Sequence, residues 1–210
     1  TAWLKYYYPV EFMAALMTSV MDRTDKVAEY TMHLKQLGIS MLPPSINEGF
    51  GDFSTGENGI RYGLSAIKSV GRPVIDAIIK ERENGKYKDL SDFVKRLSGK
   101  EVNKRTVENF IKAGALDDMP GNRRQKMLIY AQIIDNANNE RKNNTVGQMS
   151  LFELATPSEA ESFSVRFPEV DEYDKEDILA FEKEVLGIYV SGHPLEEYED
   201  SLLENITRTT

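Results

Sequence analysis

The 210-residue sequence contains no cysteine, which excludes disulfides, thiolate catalysis and cysteine-ligated zinc and suits a reducing cytoplasm. Its two histidines, His33 and His193, stand far apart and have no cysteine partners, so no zinc site is expected. His33 reads as a surface residue on a helix, and His193, within Gly-His-Pro-Leu, as part of a turn. No apolar run approaches the roughly 20 residues of a membrane span, and no basic-then-apolar leader is visible. A phosphate-cradling Walker loop, a dinucleotide fingerprint and a nucleophile beside a base are all missing. The acidic pairs Asp117-Asp118 and Asp171-Glu172 lie in loops among like charges. They read as solvated acids, not as the rigid carboxylate cluster that two-metal nucleotidyl transfer needs. No catalytic residue, metal ligand or cofactor is therefore expected within the chain.

What is present is the composition of a soluble globular protein, with 40% hydrophobic and 29% charged residues. The chain begins at Thr1, without Met, inside a helical stretch, and is expected to be a piece of a longer protein. The overall charge of −8 conceals an asymmetry. Residues 1–60 carry four Lys/Arg against seven Asp/Glu, residues 61–143 carry 18 against 11, and residues 144–210 carry four against 16. An acidic total argues against nucleic acid, whereas the cationic middle argues for it.

The pattern is mainly α, with one small β-hairpin. Pro9-Val10-Glu11 opens a helix whose residues Phe12, Ala15, Leu16, Ser19 and Val20 share a face. A second helix carries Val27, Tyr30, Leu34 and Leu37 and ends at Gly38. Residues 41–64 read as extended chain, in which Asn58-Gly59 marks a hairpin between Asp52–Thr55 and Ile60–Leu64. Four further helices are expected at about 72–83, 89–97, 104–113 and 121–138. Residues 140–175 read as a flexible linker, and a helix returns at about 175–187 with Ile178, Phe181, Val185 and Leu186 on one side. The expected divisions are thus 1–40, 41–64, 65–139, 140–175 and 176–210.

Three motifs stand out. In Ala66–Gly85 a tight turn, Ser69-Val70-Gly71, joins a short helix ending near Lys68 to one starting at Arg72-Pro73, with Ile67, Val70, Val74, Ala77 and Ile78 apolar. This is the helix-hairpin-helix pattern. A helix N-terminus with unpaired N–H groups holds a phosphate, Gly71 lets the backbone approach it, and Lys68 and Arg72 add charge. Such a device grips the DNA backbone and reads no bases. Ser69 stands where glycine is usual. A plain packing corner has the same pattern, and the cationic surroundings favour DNA. A second candidate turn runs from Ala113 to Arg124, with Gly121, Asn122, Arg123 and Arg124 at its basic helix start. Lys104 and Arg105 open the helix before it, and a solvated face is their bland alternative. Third, Gln148, Met149, Ser150, Leu151 and Phe152 form an apolar island in the polar linker. An extended Gln-x-x-Leu-Phe peptide can place an amide in a polar socket and two anchors in a pocket on another protein. Docking back onto its own domain is the alternative.

These segments, in this order, resemble the α subunit of bacterial DNA polymerase III, the C-family replicative polymerase. The resemblance rests on TAWLKYYYPVEFMAALMTSVMDRTDKVAEY, LGISMLPPSINEG, IRYGLSAIKSVG, VNKRTVENFIKAGALD and EKEVLGIYVSGHPL. It implies the end of a fingers region, tandem helix-hairpin-helix units cradling duplex DNA, and a clamp-binding peptide at Gln148–Phe152. It also implies a final segment, 176–210, that leads to an OB-fold domain absent from this sequence. The implied partners are primer–template duplex, the ring-shaped sliding clamp and other holoenzyme subunits, in the cytoplasm and away from membranes. The family's catalytic aspartates lie upstream of these residues, so the chain alone is expected to be inactive, and the Mg2+ of nucleotidyl transfer belongs to the parent enzyme. Two other readings remain open: a stand-alone helix-hairpin-helix repair protein, and an enzyme built on the acidic stretch 169–184.

Overall fold

A computed structural model describes residues 2–99, 102–145 and 167–194 of the chain. Among them are eight α-helices: α1 (Ala2–Tyr7), α2 (Pro9–Ser19), α3 (Thr24–Gln36), α4 (Arg72–Arg82), α5 (Leu90–Arg96), α6 (Lys104–Lys112), α7 (Arg123–Thr145) and α8 (Lys175–Val185). The strands are β1 (Ser40–Leu42), β2 (Ser54–Gly56) and β3 (Gly59–Arg61). The expected mainly helical class is what the chain adopts.

Pro9 occupies the first turn of α2, where its missing N–H costs nothing, and the helix buries Met13, Ala14 and Met17. Helix α3 buries Val27, Thr31 and Leu34. It ends because Gly38 takes a left-handed φ of 70°. The amides of Gly38 and Ile39 then donate back to Lys35 and Leu34, closing carbonyls that the helix leaves open.

The expected hairpin forms between β2 and β3, with Thr55 opposite Ile60. Residues 41–64 are more than extended chain with a hairpin, however, because β1 joins β3 in parallel to give the order β1-β3-β2. Gly59 permits this, since a Cβ there would lie 2.0 Å from the Ser40 carbonyl oxygen. Three residues of β1 carry too little alternation to announce a strand.

Helices α4 to α7 share a core with the sheet and with α2 and α3. Val74, Ile75 and Ile78 from α4, Phe93 and Val94 from α5, Val107, Phe110 and Ile111 from α6, and Ile129, Ile133 and Ile134 from α7 are buried. Tyr87, Phe93 and Phe110 meet edge to face at 5.2 and 6.1 Å between centroids. The Asn47 side chain exchanges two hydrogen bonds with the Tyr87 backbone, at 2.8 and 3.0 Å, fastening the Leu42-Pro43-Pro44 passage to the α4–α5 turn.

Both described ends of the stretch read as a linker, 140–175, are ordered against the body. Helix α7 runs on to Thr145, and residues 167–174 lie against the start of α7, with the Phe167 ring packed over Gly121. Helix α8 and the turn after it are part of the same body. Leu186 and Ile188 are buried, Tyr62 donates its hydroxyl to the Leu186 carbonyl at 2.8 Å, and the Lys68 amide donates to Val185 at 2.9 Å.

Candidate nucleic-acid interface

The first hairpin keeps its turn and its second helix, but the short helix expected before Lys68 is a single 3-10 turn that ends at Ala66. Leu64–Ala66 form one 3-10 turn, Ile67 and Val70 are buried, and the chain reverses into α4 with Gly71 as N-cap. Ser69 adopts φ 61°, the one non-glycine residue with positive φ among the described residues. It therefore holds the left-handed position that favours glycine, at a cost of about 1–2 kcal/mol. The turn is braced from below by buried Asn109, whose side chain donates to the Lys68 carbonyl at 2.7 Å. Neighbouring helices are closed by side chains: Asp89 caps α5, Asn103 caps α6, and Asn122 exchanges hydrogen bonds with Gln125 at the start of α7. Helix α4 has no side-chain cap at Gly71; Pro73 carries no N–H, and the Val74 and Ile75 amides donate to the Gly71 carbonyl, so the backbone donors left for an anion are those at the turn itself.

The start of α6 stands beside this turn. Lys68, Ser69, Lys104, Arg105, Glu108, Asn109, Lys112, Glu184 and Val185 line one groove of about 620 Å³. Two cationic clusters 36 residues apart in sequence thus share a wall. Lys104 pairs with Asp135 at 2.8 Å, but both side chains are about half exposed. An exposed pair of this kind contributes at most about 1 kcal/mol, so Lys104 is readily given up to a phosphate. Arg105 is exposed and has no ion-pair partner among the described residues. Lys68 is exposed and donates its ammonium to the Glu184 carbonyl at 2.7 Å, the C-terminal end of α8. Lys112 lies between Glu108 and Glu184, 3.1 Å from each.

Arg72 does not line this groove. Its guanidinium lies beside Gly51 and donates to Asp52 at 3.2 Å, again as an exposed pair.

The second turn departs from expectation. Arg123 is buried and is no free cation: its guanidinium binds Asp117 at 2.7 Å and Glu182 at 3.3 Å. Lys126, also buried, spends its ammonium on the carbonyls of Leu116 and Met119 at 2.8 and 3.0 Å. Burial pushes its pKa down. The N-terminus of α7 already holds an anion, for the Glu172 carboxylate accepts from the amides of Arg123 at 2.8 Å and Arg124 at 3.1 Å. It also accepts from the Tyr173 amide at 2.8 Å. Burial alone would raise the Glu172 pKa, but these three donors and the Arg123 charge outweigh it and hold the carboxyl below its usual range. Gly121 has φ 87° and lies under Phe167, Asn122 donates to the Val170 carbonyl, and only the Arg124 side chain remains exposed. The cationic second turn is thus an internal clasp in this arrangement, and Arg123 is corrected from DNA contact to structural strut.

Sequence reasoning missed Asn109, Lys112 and Glu184. The spacing Arg105, Asn109, Lys112 places all three on one face of α6 and was a usable signal. Nothing local marks Glu184, which arrives from α8. The peptide Gln148, Met149, Ser150, Leu151 and Phe152 lies outside the described residues. Among the described residues no group of three or more His, Asp or Glu is placed to hold a metal ion, and no helix is long and apolar enough to cross a membrane.

Comparison with known proteins agrees with the resemblance drawn from the sequence motifs. Residues 38–126 match the family model of the helix-hairpin-helix motif. The chain is 39% identical over 203 residues to the DNA polymerase III subunit alpha of Borreliella burgdorferi, which covers 96% of the chain and 18% of that protein. It is 41% identical over 214 residues to that of Vibrio cholerae, covering 100% of the chain and 18% of the relative. With that of Mycobacterium tuberculosis it is 39% identical over 199 residues, covering 93% and 17%. The chain thus spans less than a fifth of the length of the relatives it matches.

Proposed function

We propose, from the premise that this chain matches a helix-hairpin-helix segment of a DNA polymerase III subunit alpha, that it holds duplex DNA by the sugar–phosphate backbone. The observation that carries this is the single groove shared by the Lys68-Ser69 turn and the Lys104-Arg105 helix start. One phosphate sits at the uncapped N-terminus of α4 beside Ser69 and Gly71, and further phosphates along the strand meet Lys104 and Arg105. No base edge is read, so binding is independent of sequence and strongly dependent on salt.

The second element of the function is the peptide Gln148–Phe152, whose composition supports binding to the sliding clamp of the replicative holoenzyme. Together the two contacts serve processive synthesis: held to a ring on DNA, the polymerase re-engages at high effective concentration. Nucleotidyl transfer and its Mg2+ are assigned to residues of the polymerase outside this chain. Among the described residues no three Asp, Glu or His side chains are grouped so as to hold a metal ion. A cytoplasmic setting follows from the same reading.

Two experiments test this. The double substitution Lys104→Ala, Arg105→Ala is expected to weaken binding to unrelated duplexes equally and to reduce the salt slope by about 1.8, or 0.9 for each lost phosphate contact. Unchanged affinity contradicts the groove assignment. For the peptide, Gln148→Ala with Leu151→Ala and Phe152→Ala is expected to abolish calorimetric binding to purified clamp with no change in melting temperature. Retained clamp binding removes that half of the function.

A further inference from the structure

We propose that the acidic segment 167–191 is a built-in competitor of DNA: Glu172 closes the second hairpin in the place of a phosphate, and Glu184 occupies Lys112 in the first groove. The proposal rests on the groove being the duplex site, and adds that the chain's own carboxylates limit how many phosphates it takes.

Glu172 makes the case for the second hairpin. A phosphate at a helix N-terminus accepts hydrogen bonds from successive backbone amides. The Glu172 carboxylate does this with Arg123 and Arg124 while accepting a third from Tyr173. Two of the three cations that would assist a phosphate there are already committed, leaving exposed Arg124 over the Tyr173 ring. Arg123 is held by Asp117 and Glu182, and Lys126 by two carbonyls. A second hairpin that matches the DNA-binding pattern in sequence is therefore internally satisfied.

Glu184 makes the case for the first. The charged side chains lining the groove are Lys68, Lys104, Arg105 and Lys112 against Glu108 and Glu184. Both oxygens of Glu184 lie 3.1 Å from the Lys112 ammonium. The Glu184 side chain is 59% exposed, whereas Lys112 is 15% exposed and is also held by Glu108 one turn earlier on α6. Lys112 is thus fixed in place without Glu184, and the more exposed carboxylate is the replaceable one. A DNA strand entering the groove has to displace it or pass it against like-charge repulsion.

The test uses fluorescence anisotropy with a random-sequence duplex across a salt series, on the chain and six variants. Glu184→Gln is expected to tighten binding about two- to fivefold at low salt. Its salt slope is expected to steepen by about 0.9 as Lys112 takes a phosphate. Arg124→Ala is expected to leave affinity unchanged in the parent chain but to weaken binding once Glu172→Ala has opened the α7 terminus. Melting curves identify a variant that has lost its fold, and Arg124→Ala, at an exposed site, tests closure of the second hairpin without disturbing Glu172. Glu184→Gln binding as the parent does, while Lys104→Ala, Arg105→Ala weakens it, overturns the brake and leaves the groove standing. If the double substitution has no effect either, the groove itself is lost, and the brake with it. Arg124→Ala weakening the parent as much as Arg105→Ala does overturns the closure of the second hairpin.

Discussion

Ser69 shows how a single residue records what a turn must do. At φ 61° it occupies a conformation that L side chains rarely take, and a β-branched side chain would take it at greater cost. Ser69→Val is expected to lower stability by about 1–3 kcal/mol in urea denaturation. Ser69→Gly relieves the steric cost but adds backbone entropy to the unfolded chain, so its stability should stay within about 1 kcal/mol of the parent. Glu182 is the other decisive residue. It is fully buried and accepts from Arg123, from the amides of Val190 and Ser191, and from the Ser191 hydroxyl. Removing it leaves buried Arg123 with Asp117 as its one remaining carboxylate and deprives the Val190 and Ser191 amides of their acceptor. Glu182→Ala is expected to cost about 3–5 kcal/mol, whereas replacing the pair by Arg123→Met with Glu182→Leu should recover much of that loss. Equal losses in the single and double variants contradict the role of the pair.

At the scale of elements, the chain is fastened by acids that reach back from its C-terminal part. Segment 167–174 is tied to α7 through Glu172, Asn122 and Gln125. Because the folded-state pKa of Glu172 lies below the ordinary carboxylate value, its contribution is fully present above about pH 4.3 and is lost as pH falls through the depressed value. Protection factors of the amides in 167–174, taken against the slower intrinsic exchange in acid, are therefore expected to fall below about pH 4 before those of α4 and α6 do. Simultaneous loss across the fold contradicts a local tie. The helix starts and stops were legible in the sequence wherever a residue type acts locally, as Pro9 and Pro73 do in first turns, Asn103 as a cap and Gly38 as a stop. The turn and second helix of the first hairpin were legible for the same reason, since their apolar spacing is local, whereas the helix expected before Lys68 is only a 3-10 turn. Strand β1 was not, because three residues acquire strand identity only by pairing with β3. The burial of Arg123 and Lys126 was hidden too. A cation goes inside only when distant groups receive it, and Glu182 stands 59 residues away from Arg123.

On the scale of the whole molecule, a net acidic chain presents a local cationic groove while its acidic segment 167–191 packs beside it. Net charge alone pointed away from nucleic acid, and regional charge pointed toward it. The arrangement adds that much of the regional charge is internally spent, which leaves one hairpin and one helix start as the proposed duplex contacts. Hydrogen exchange of the chain with and without a short duplex tests this most directly. Protection is expected at residues 69–72 and 103–106 and not at 122–125. New protection at 122–125, or none at 69–72 and 103–106, would contradict it.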